Sequence, residues 1–312
     1  MKIVILNECF LSNEHIKELK KLGDVKKYDS TSQQELLEHS QDADIVIGDC
    51  YLTKFDESFF SKAKKTKLVQ INSTGFSGVD VQSAKEHKVS VANVPGFSTD
   101  SVAELAITIM FVIGRKVILA HKDFVKEPFE TDPGNKEHIK YLGQNFTGKT
   151  LGVVGLGGIG SRVAELGKGI GMHVIAWNRS KKDSKGIKMV SLQELFKSAD
   201  VIVVSLSLNS ETTGMITKEL LNNMKSNGIF INIGMSQIVD QSALKNLLKE
   251  KRIMGASGEI ANLSDKEIFK LDNYLGLPHV GWYTQQSLNN IGSIIVDNVK
   301  AFVSKKPINL VK

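Results

Sequence analysis

Three glycines, Gly155, Gly157 and Gly160, stand in G-x-G-x-x-G spacing inside "LGVVGLGGIGSRVAELGKGIGMHVIAWNR", residues 151–179. The first permits a tight turn, the second lets a backbone approach a pyrophosphate, and the third lets a helix pack closely on a strand. Glycines alone could mark a turn in any α/β sheet. Here an apolar strand precedes them, a helical stretch follows, and a second strand closes the unit. The N–H groups at the start of that helix suit the phosphates of a dinucleotide. After the second strand the chain reads Trp177-Asn178-Arg179-Ser180-Lys181-Lys182. An NAD site places a carboxylate there for the ribose 2′-OH. This stretch instead offers a guanidinium, a hydroxyl and ammonium groups, which suit a 2′-phosphate. NADP(H) is therefore expected over NAD(H).

A second chemical group is His279, in "LPHVGW". It follows a proline at the end of an expected strand, where open α/β sheets place their ligands. A lone histidine can equally be a satisfied core residue. Its position favours catalysis, because imidazole titrates where proton transfer is useful.

These groups need a scaffold, and the hydrophobic pattern supplies one. Short Val- and Ile-rich runs alternate with helical stretches. The first half carries "KIVIL", "VKKYD", "DIVIGD", "LVQINS" and "VSVANV". The second carries "TLGVVG", "HVIAWN", "DVIVVSL", "GIFINIG", "RIMGAS" and "LGLPHV". Such alternation predicts parallel sheets covered on both faces. Two series predict an α/β chain of two doubly wound domains, a Rossmann cofactor domain inserted in a flavodoxin-like substrate domain. The substrate domain is expected to comprise residues 1–96 plus 283–312, and the cofactor domain residues 97–282. Pro95-Gly96 ends a strand at the joint. Ser101 with Glu104 has capping-box spacing ahead of a connector helix from Val102 to about Arg115. A last helix, "SLNNIGSIIVDNVKAFVSKK", is expected to return to the first domain.

Composition narrows the partners. Of 312 residues, 41% are hydrophobic and 24% charged, as in globular proteins generally. The net charge of +6 is carried by scattered lysines without interleaved aromatics, so no nucleic-acid partner is expected. No stretch is apolar enough to span a bilayer, and "MKIVILNECF" reads as a strand and not as a secretory leader. Cys9 and Cys50 form neither a metal-ligand spacing nor a disulfide framework. No metal is expected, and the compartment is expected to be the cytoplasm.

Nearly the whole chain resembles the D-isomer-specific 2-hydroxyacid dehydrogenases. "STGFSGVDVQSAKEHKVSVANVPGFSTDSVAELAI" is similar to that family's substrate loop, interdomain strand and connector helix. "TGKTLGVVGLGGIG" resembles its cofactor turn, and "SLSLNSETTGMI" the stretch lining the adenine side. "INIGMSQIVDQSAL" resembles the segment with the catalytic arginine, and "LPHVGW" that with the catalytic histidine. The resemblance implies hydride transfer between a nicotinamide and C2 of a 2-oxo acid. A histidine protonates the oxygen, a glutamate raises that histidine's pKa, and an arginine holds the carboxylate.

Carried over by position, His279 is the histidine. Thr74 and Gly75 supply the loop amides, and Phe76 walls the pocket. Met235 stands where the arginine would be. Glu259 takes an aspartate position. The glutamate falls at Ser264 or, with a one-residue shift, at Asp265, so either Glu259 or Asp265 is left to pair with His279. The cofactor is expected against Gly155, Gly157, Gly158, Ile159, Gly160, Asn178, Arg179, Ser180, Lys181, Ser205, Leu206, Ile233, Gly234, Glu259, His279 and Gly281. A homodimer through the cofactor domains is implied, with the segment after Arg115 as its exchanged arm.

Met235 can neither donate a hydrogen bond nor carry charge. The expected function is therefore an NAD(P)H-dependent oxidoreductase acting on a small molecule, a carbonyl or imine flanked by apolar groups, with His279 as general acid. A catalytically silent protein that binds or senses dinucleotide is the alternative. A nucleic-acid or scaffold protein has only the net charge behind it.

Overall fold

Ile3, Val4, Ile5 and Leu6 are all buried, as are Ile45 to Ile47 and Val201 to Val204. A parallel strand covered on both faces has no side that tolerates polar residues, so its apolar run is continuous. The structure is a computed structural model and describes residues 1–7, 9–29, 32–128, 136–180, 186–260 and 266–311. The chain divides into two compact units, Met1–Ser98 with Tyr283–Lys312, and Thr99–Trp282.

In chain order the first unit carries β1 (Lys2–Leu6), α1 (Asn13–Lys20), β2 (Asp24–Tyr28), α2 (Gln33–Ser40), β3 (Ile45–Gly48), α3 (Glu57–Lys62), β4 (Leu68–Ile71), α4 (Val81–Glu86) and β5 (Ser90–Ala92). Its described residues form a five-stranded parallel sheet in the order β2-β1-β3-β4-β5, the flavodoxin-like order. Helix onsets are set locally. Ser12, Asp56 and Asp80 each accept a backbone N–H from the residue three positions on.

The second unit carries α5 (Thr99–Gly114), α6 (Val117–Lys126), β6 (Thr150–Val154), α7 (Gly158–Gly169), β7 (His173–Trp177), β8 (Lys188–Met189), α8 (Leu192–Ser198), β9 (Val201–Val204), α9 (Lys218–Asn222), β10 (Ile229–Met235), α10 (Gln241–Lys249), β11 (Gly255–Ile260) and β12 (Tyr274–Gly276). The sheet order is β12-β11-β10-β9-β6-β7-β8, all parallel. Counted from β6, this is the Rossmann order 3-2-1-4-5-6 with one strand added outside. Alternate residues feed two core layers. Leu151, Val153, Val201, Val203, Ile229 and Ile231 face α5 and α7. Val154, Ile202, Val204 and Phe230 face α8, α9 and α10. α11 (Gln285–Val303) belongs to the first unit and packs on α1 and β4.

Three local expectations are corrected. The capping box of Ser101 and Glu104 does not form, because α5 begins earlier, at Thr99, and Ser101 is buried inside its first turn. Asp100 in that turn instead pairs with Arg162 of α7 at 2.7 Å. The strand expected at "RIMGAS" starts at Gly255, after a turn, and the last strand ends at Gly276, ahead of Pro278 and His279. Among the described residues no helix is long and apolar enough to cross a membrane.

Candidate functional site

The second unit carries the nucleotide machinery. Because its strands are parallel, the chain leaves every strand at the same edge of the sheet. The segments after β6, β7, β9, β10 and β12 therefore share that edge, and the strand order reverses between β6 and β9. At this switch point Gly155 adopts a left-handed φ of 95° and donates to the Trp177 carbonyl at 2.8 Å. Gly160 leaves no room for a side chain, since a Cβ there would collide with the Gly155 carbonyl and the Ser205 hydroxyl. Gly157 faces open space and is the N-cap of α7, with no side chain capping the helix. The first N–H groups of α7 at Gly158, Ile159 and Gly160 are thus directed at an open cradle, and the residues present fit a pyrophosphate.

The neighbouring loops are tied to this turn. Asn178 accepts the Leu156 N–H at 2.9 Å and donates to the Ser180 carbonyl at 3.0 Å and hydroxyl at 3.1 Å. The Ser205 hydroxyl donates to the Gly155 carbonyl at 2.7 Å, and the Leu206 side chain lies against Gly155. Arg179 forms an ion pair with Glu211, an acid absent from the sequence expectations. Lys181 lies outside the described residues.

Met235 ends β10, and a β-bulge decides where it points. In a regular strand Met235 would share a face with Ile229, Ile231 and Ile233. The pairing of β10 with β11 shifts register between Asn232 and Met235. A one-residue shift turns the following side chain to the other face. Met235 is accordingly half-buried and packs against the layer under α8, α9 and α10, whereas Ile233 remains in the α5–α7 layer. Asn232, buried at the bulge, clasps it by accepting the Gly234 N–H at 3.1 Å and donating to the Met235 carbonyl at 3.1 Å. A polar residue interrupting the apolar run "IFINIG" was the available signal for this clasp.

His279 follows β12 at the same sheet edge, exposed, with a left-handed φ of 56°. Such a φ is uncommon outside glycine, though histidine tolerates it better than most. Gly281 is buried two residues on. Glu259 lies in β11, with its backbone alone described, and Ser264 and Asp265 lie outside the described residues.

In the first unit the loop after β4 is held by its own side chains. The Ser73 carbonyl accepts the Val94 N–H at 3.2 Å. The Asn93 amide donates to the Thr74 carbonyl at 2.8 Å, and the Ser73 hydroxyl to the Gly75 carbonyl at 2.7 Å. Thr74 in turn donates its hydroxyl to the Val94 carbonyl at 3.0 Å. A trans peptide points its carbonyl and N–H in opposite directions. The N–H groups of Thr74, Gly75 and Phe76 are therefore turned away from these partners, and the Phe76 ring is exposed. The Tyr51 hydroxyl sits so close over Gly75 that any Cβ there would strike it, a neighbour no sequence pattern announced. Cys50 lies beneath, 3.5 Å from the Gly75 carbonyl, and burial pushes its thiol pKa up.

An open glycine turn at the switch point of a 3-2-1-4-5-6 parallel sheet defines a dinucleotide-binding domain. Residues 107–281 match the D-isomer specific 2-hydroxyacid dehydrogenase NAD-binding domain, and the chain belongs to that family. It is 31% identical over 298 residues to a D-3-phosphoglycerate dehydrogenase of Methanocaldococcus jannaschii, covering 93% of this chain but 55% of that protein. It is also 31% identical to a glyoxylate reductase of Thermococcus litoralis, covering 88% of this chain and 86% of the relative. Among solved structures, an acyclic imino acid reductase in complex with NADPH and D-Arg superposes with a TM-score of 0.88 at 27% identity, over 100% of both chains.

Proposed function

We propose that the chain is a nicotinamide-dependent reductase of a small molecule bearing a C=O or C=N bond, with His279 as proton donor and NADPH as preferred reductant. One observation carries the reading: His279 leaves the sheet at the edge that also presents the open glycine turn. Bound nicotinamide supplies the hydride. The N–H groups of Gly158, Ile159 and Gly160 hold the pyrophosphate, and Arg179, Ser180 and Lys181 take the 2′-phosphate. Ser205, Leu206, Ile233, Gly234, Glu259 and Gly281 line the rest of the cofactor's path. His279 gives its proton to the oxygen or nitrogen of the double bond as the carbon is reduced. On the first unit the amides of Thr74 and Gly75 suit an anionic group, with the Phe76 ring as an apolar neighbour; on the second unit Met235 offers an apolar side chain.

Met235 shapes the substrate choice. By analogy with removal of an oxyanion donor, loss of a cation at the reacting carbonyl costs about 3–4 kcal/mol of transition-state stabilisation. Simple 2-oxo acids are then poor substrates, and an imine, or a carbonyl between apolar groups, is favoured. The relative bound to NADPH and D-Arg supports both the cofactor and the imine. NADPH oxidation against a panel of 2-oxo acids, ketones and imines tests the proposal. Turnover of any member supports it. Tight NADPH binding with no turnover across the panel would instead mark a silent dinucleotide-binding or sensing protein.

We further propose a cytoplasmic homodimer joined through the second unit. Phe111 on α5 and Val117, Ile118, Phe124 and Val125 on α6 are exposed apolar side chains, and α5 and α6 border an open groove of about 620 Å³. Apolar surface grouped in this way marks an interaction site.

A further inference from the structure

Arg179 and Glu211 lie in the segments that follow the two strands flanking β6. Arg179 follows β7, and Glu211 lies in the loop after β9. Their side chains form an ion pair while remaining 77% and 63% exposed. A pair so exposed adds little stability. The Glu211 backbone is nevertheless firmly placed. Asn209 accepts the N–H groups of Glu211 at 2.9 Å and Thr212 at 3.1 Å. The Thr212 hydroxyl donates to the Ser207 carbonyl at 2.7 Å, and that of Thr213 to the Asn209 carbonyl at 2.8 Å. The loop is closed on itself by its own side chains, with its acid directed at the Arg179 guanidinium. On the opposite side, Asn178 anchors the backbone leading into Arg179.

We infer that Glu211 is a cofactor-specificity residue: its carboxylate competes with the 2′-phosphate of NADPH for Arg179, and so holds the preference for NADPH below what Arg179 alone would give. This rests on the reading that Arg179 receives the 2′-phosphate. The Arg179 Nη1 N–H that pairs with Glu211 is not open to a second anion, so a bidentate phosphate contact through Nη1 requires that pair to part. A phosphate monoester carries close to two negative charges at neutral pH and is repelled by a fixed carboxylate. The 2′-OH of NADH carries no charge and can donate to that carboxylate. The acid missing from the end of β7 is in this way supplied from the β9 loop, and both nucleotides are admitted.

The test is titration of NADPH and NADH by nicotinamide fluorescence on the full chain, for the parent, Glu211→Gln, Arg179→Ala and the double variant, each checked for an unchanged melting temperature. Glu211→Gln is expected to lower the NADPH Kd roughly fivefold, the upper range for an exposed pair, with a much smaller change for NADH. In the Arg179→Ala background the same substitution should tighten NADPH much less, since only direct carboxylate–phosphate repulsion is then relieved. Unchanged or weaker NADPH binding in Glu211→Gln overturns the inference, and so does equal tightening with and without Arg179. If Arg179→Ala weakens NADPH and Glu211→Gln changes nothing, the inference falls and the reading of Arg179 stands. If Arg179→Ala leaves NADPH affinity unaltered, that reading falls and takes the inference with it.

Discussion

Asn178 accepts the backbone N–H of Leu156 across 2.9 Å, and this bond ties the end of β7 to the glycine turn after β6. Leu156 itself is fully buried, so this bond fixes the turn from inside the fold. Asn178→Ala is expected to weaken NADPH and NADH alike by about 1–2 kcal/mol, a Kd increase of roughly five- to thirtyfold. Calorimetric titration with each nucleotide checks this. Weakening confined to NADPH would mean that Asn178 acts only through Ser180.

His279→Ala is expected to lower kcat/KM by about 10²–10⁴, the usual share of a positioned acid, while the NADPH Kd moves little. Stopped-flow reduction alongside fluorescence titration separates the two. An equal loss in binding would make His279 a cofactor ligand and remove it from the chemistry.

The parent protein is expected to turn over glyoxylate and pyruvate slowly. Met235→Arg should raise kcat/KM on both, with a ceiling set by the 3–4 kcal/mol that such a donor supplies elsewhere, roughly 10²–10³-fold. The bulge at Asn232 directs position 235 partly into the core layer, so a partial gain is the expected result. Efficient glyoxylate reduction by the parent would show that another cation serves, and would end the altered-substrate reading.

Asp200, 8% exposed at the start of β9, accepts the Thr150 N–H at 2.8 Å and the Lys225 ammonium at 2.9 Å. Burial pushes its pKa up, but these two partners together outweigh that and hold the carboxyl below its ordinary 3.8. An acid with a depressed pKa stabilises the fold above its unfolded pKa and loses that contribution as pH falls through the folded value. Asp200→Asn should therefore cost about 1–3 kcal/mol in urea melts at neutral pH. The cost should shrink below pH 3.8. A cost independent of pH would assign the effect to packing.

Phe124→Glu, alone or with Ile118→Glu, is expected to shift the protein from dimer to monomer in analytical ultracentrifugation, since a carboxylate in an apolar interface is costly to desolvate. A parent protein that sediments as a monomer at all concentrations would refute the dimer.

The sequence by itself carried what depends on near neighbours along the chain. Continuous Val and Ile runs mark the strands, because a doubly covered strand has no polar face. Gly155, Gly157 and Gly160 could be assigned because turn dihedrals and close approach are properties of single residues. The family resemblance rests on the same local segments and brought His279 and Met235 into view. Tertiary structure decided what depends on residues far apart. Arg179 looked like an unopposed cation until the fold brought Glu211 to it from 32 positions away. The strand read as "GIFINIG" stops short of Met235, whereas β10 runs on to it, and a bulge visible only in the pairing with β11 sets the face it meets. The start of α5 also belongs to this group. Ser101 and Glu104 had the spacing of a cap, but Asp100 pairs with Arg162 on another helix, and the helix begins at Thr99. Hydrogen bonds and ion pairs between distant segments depend on where the backbone arrives, and no periodicity along the chain encodes that.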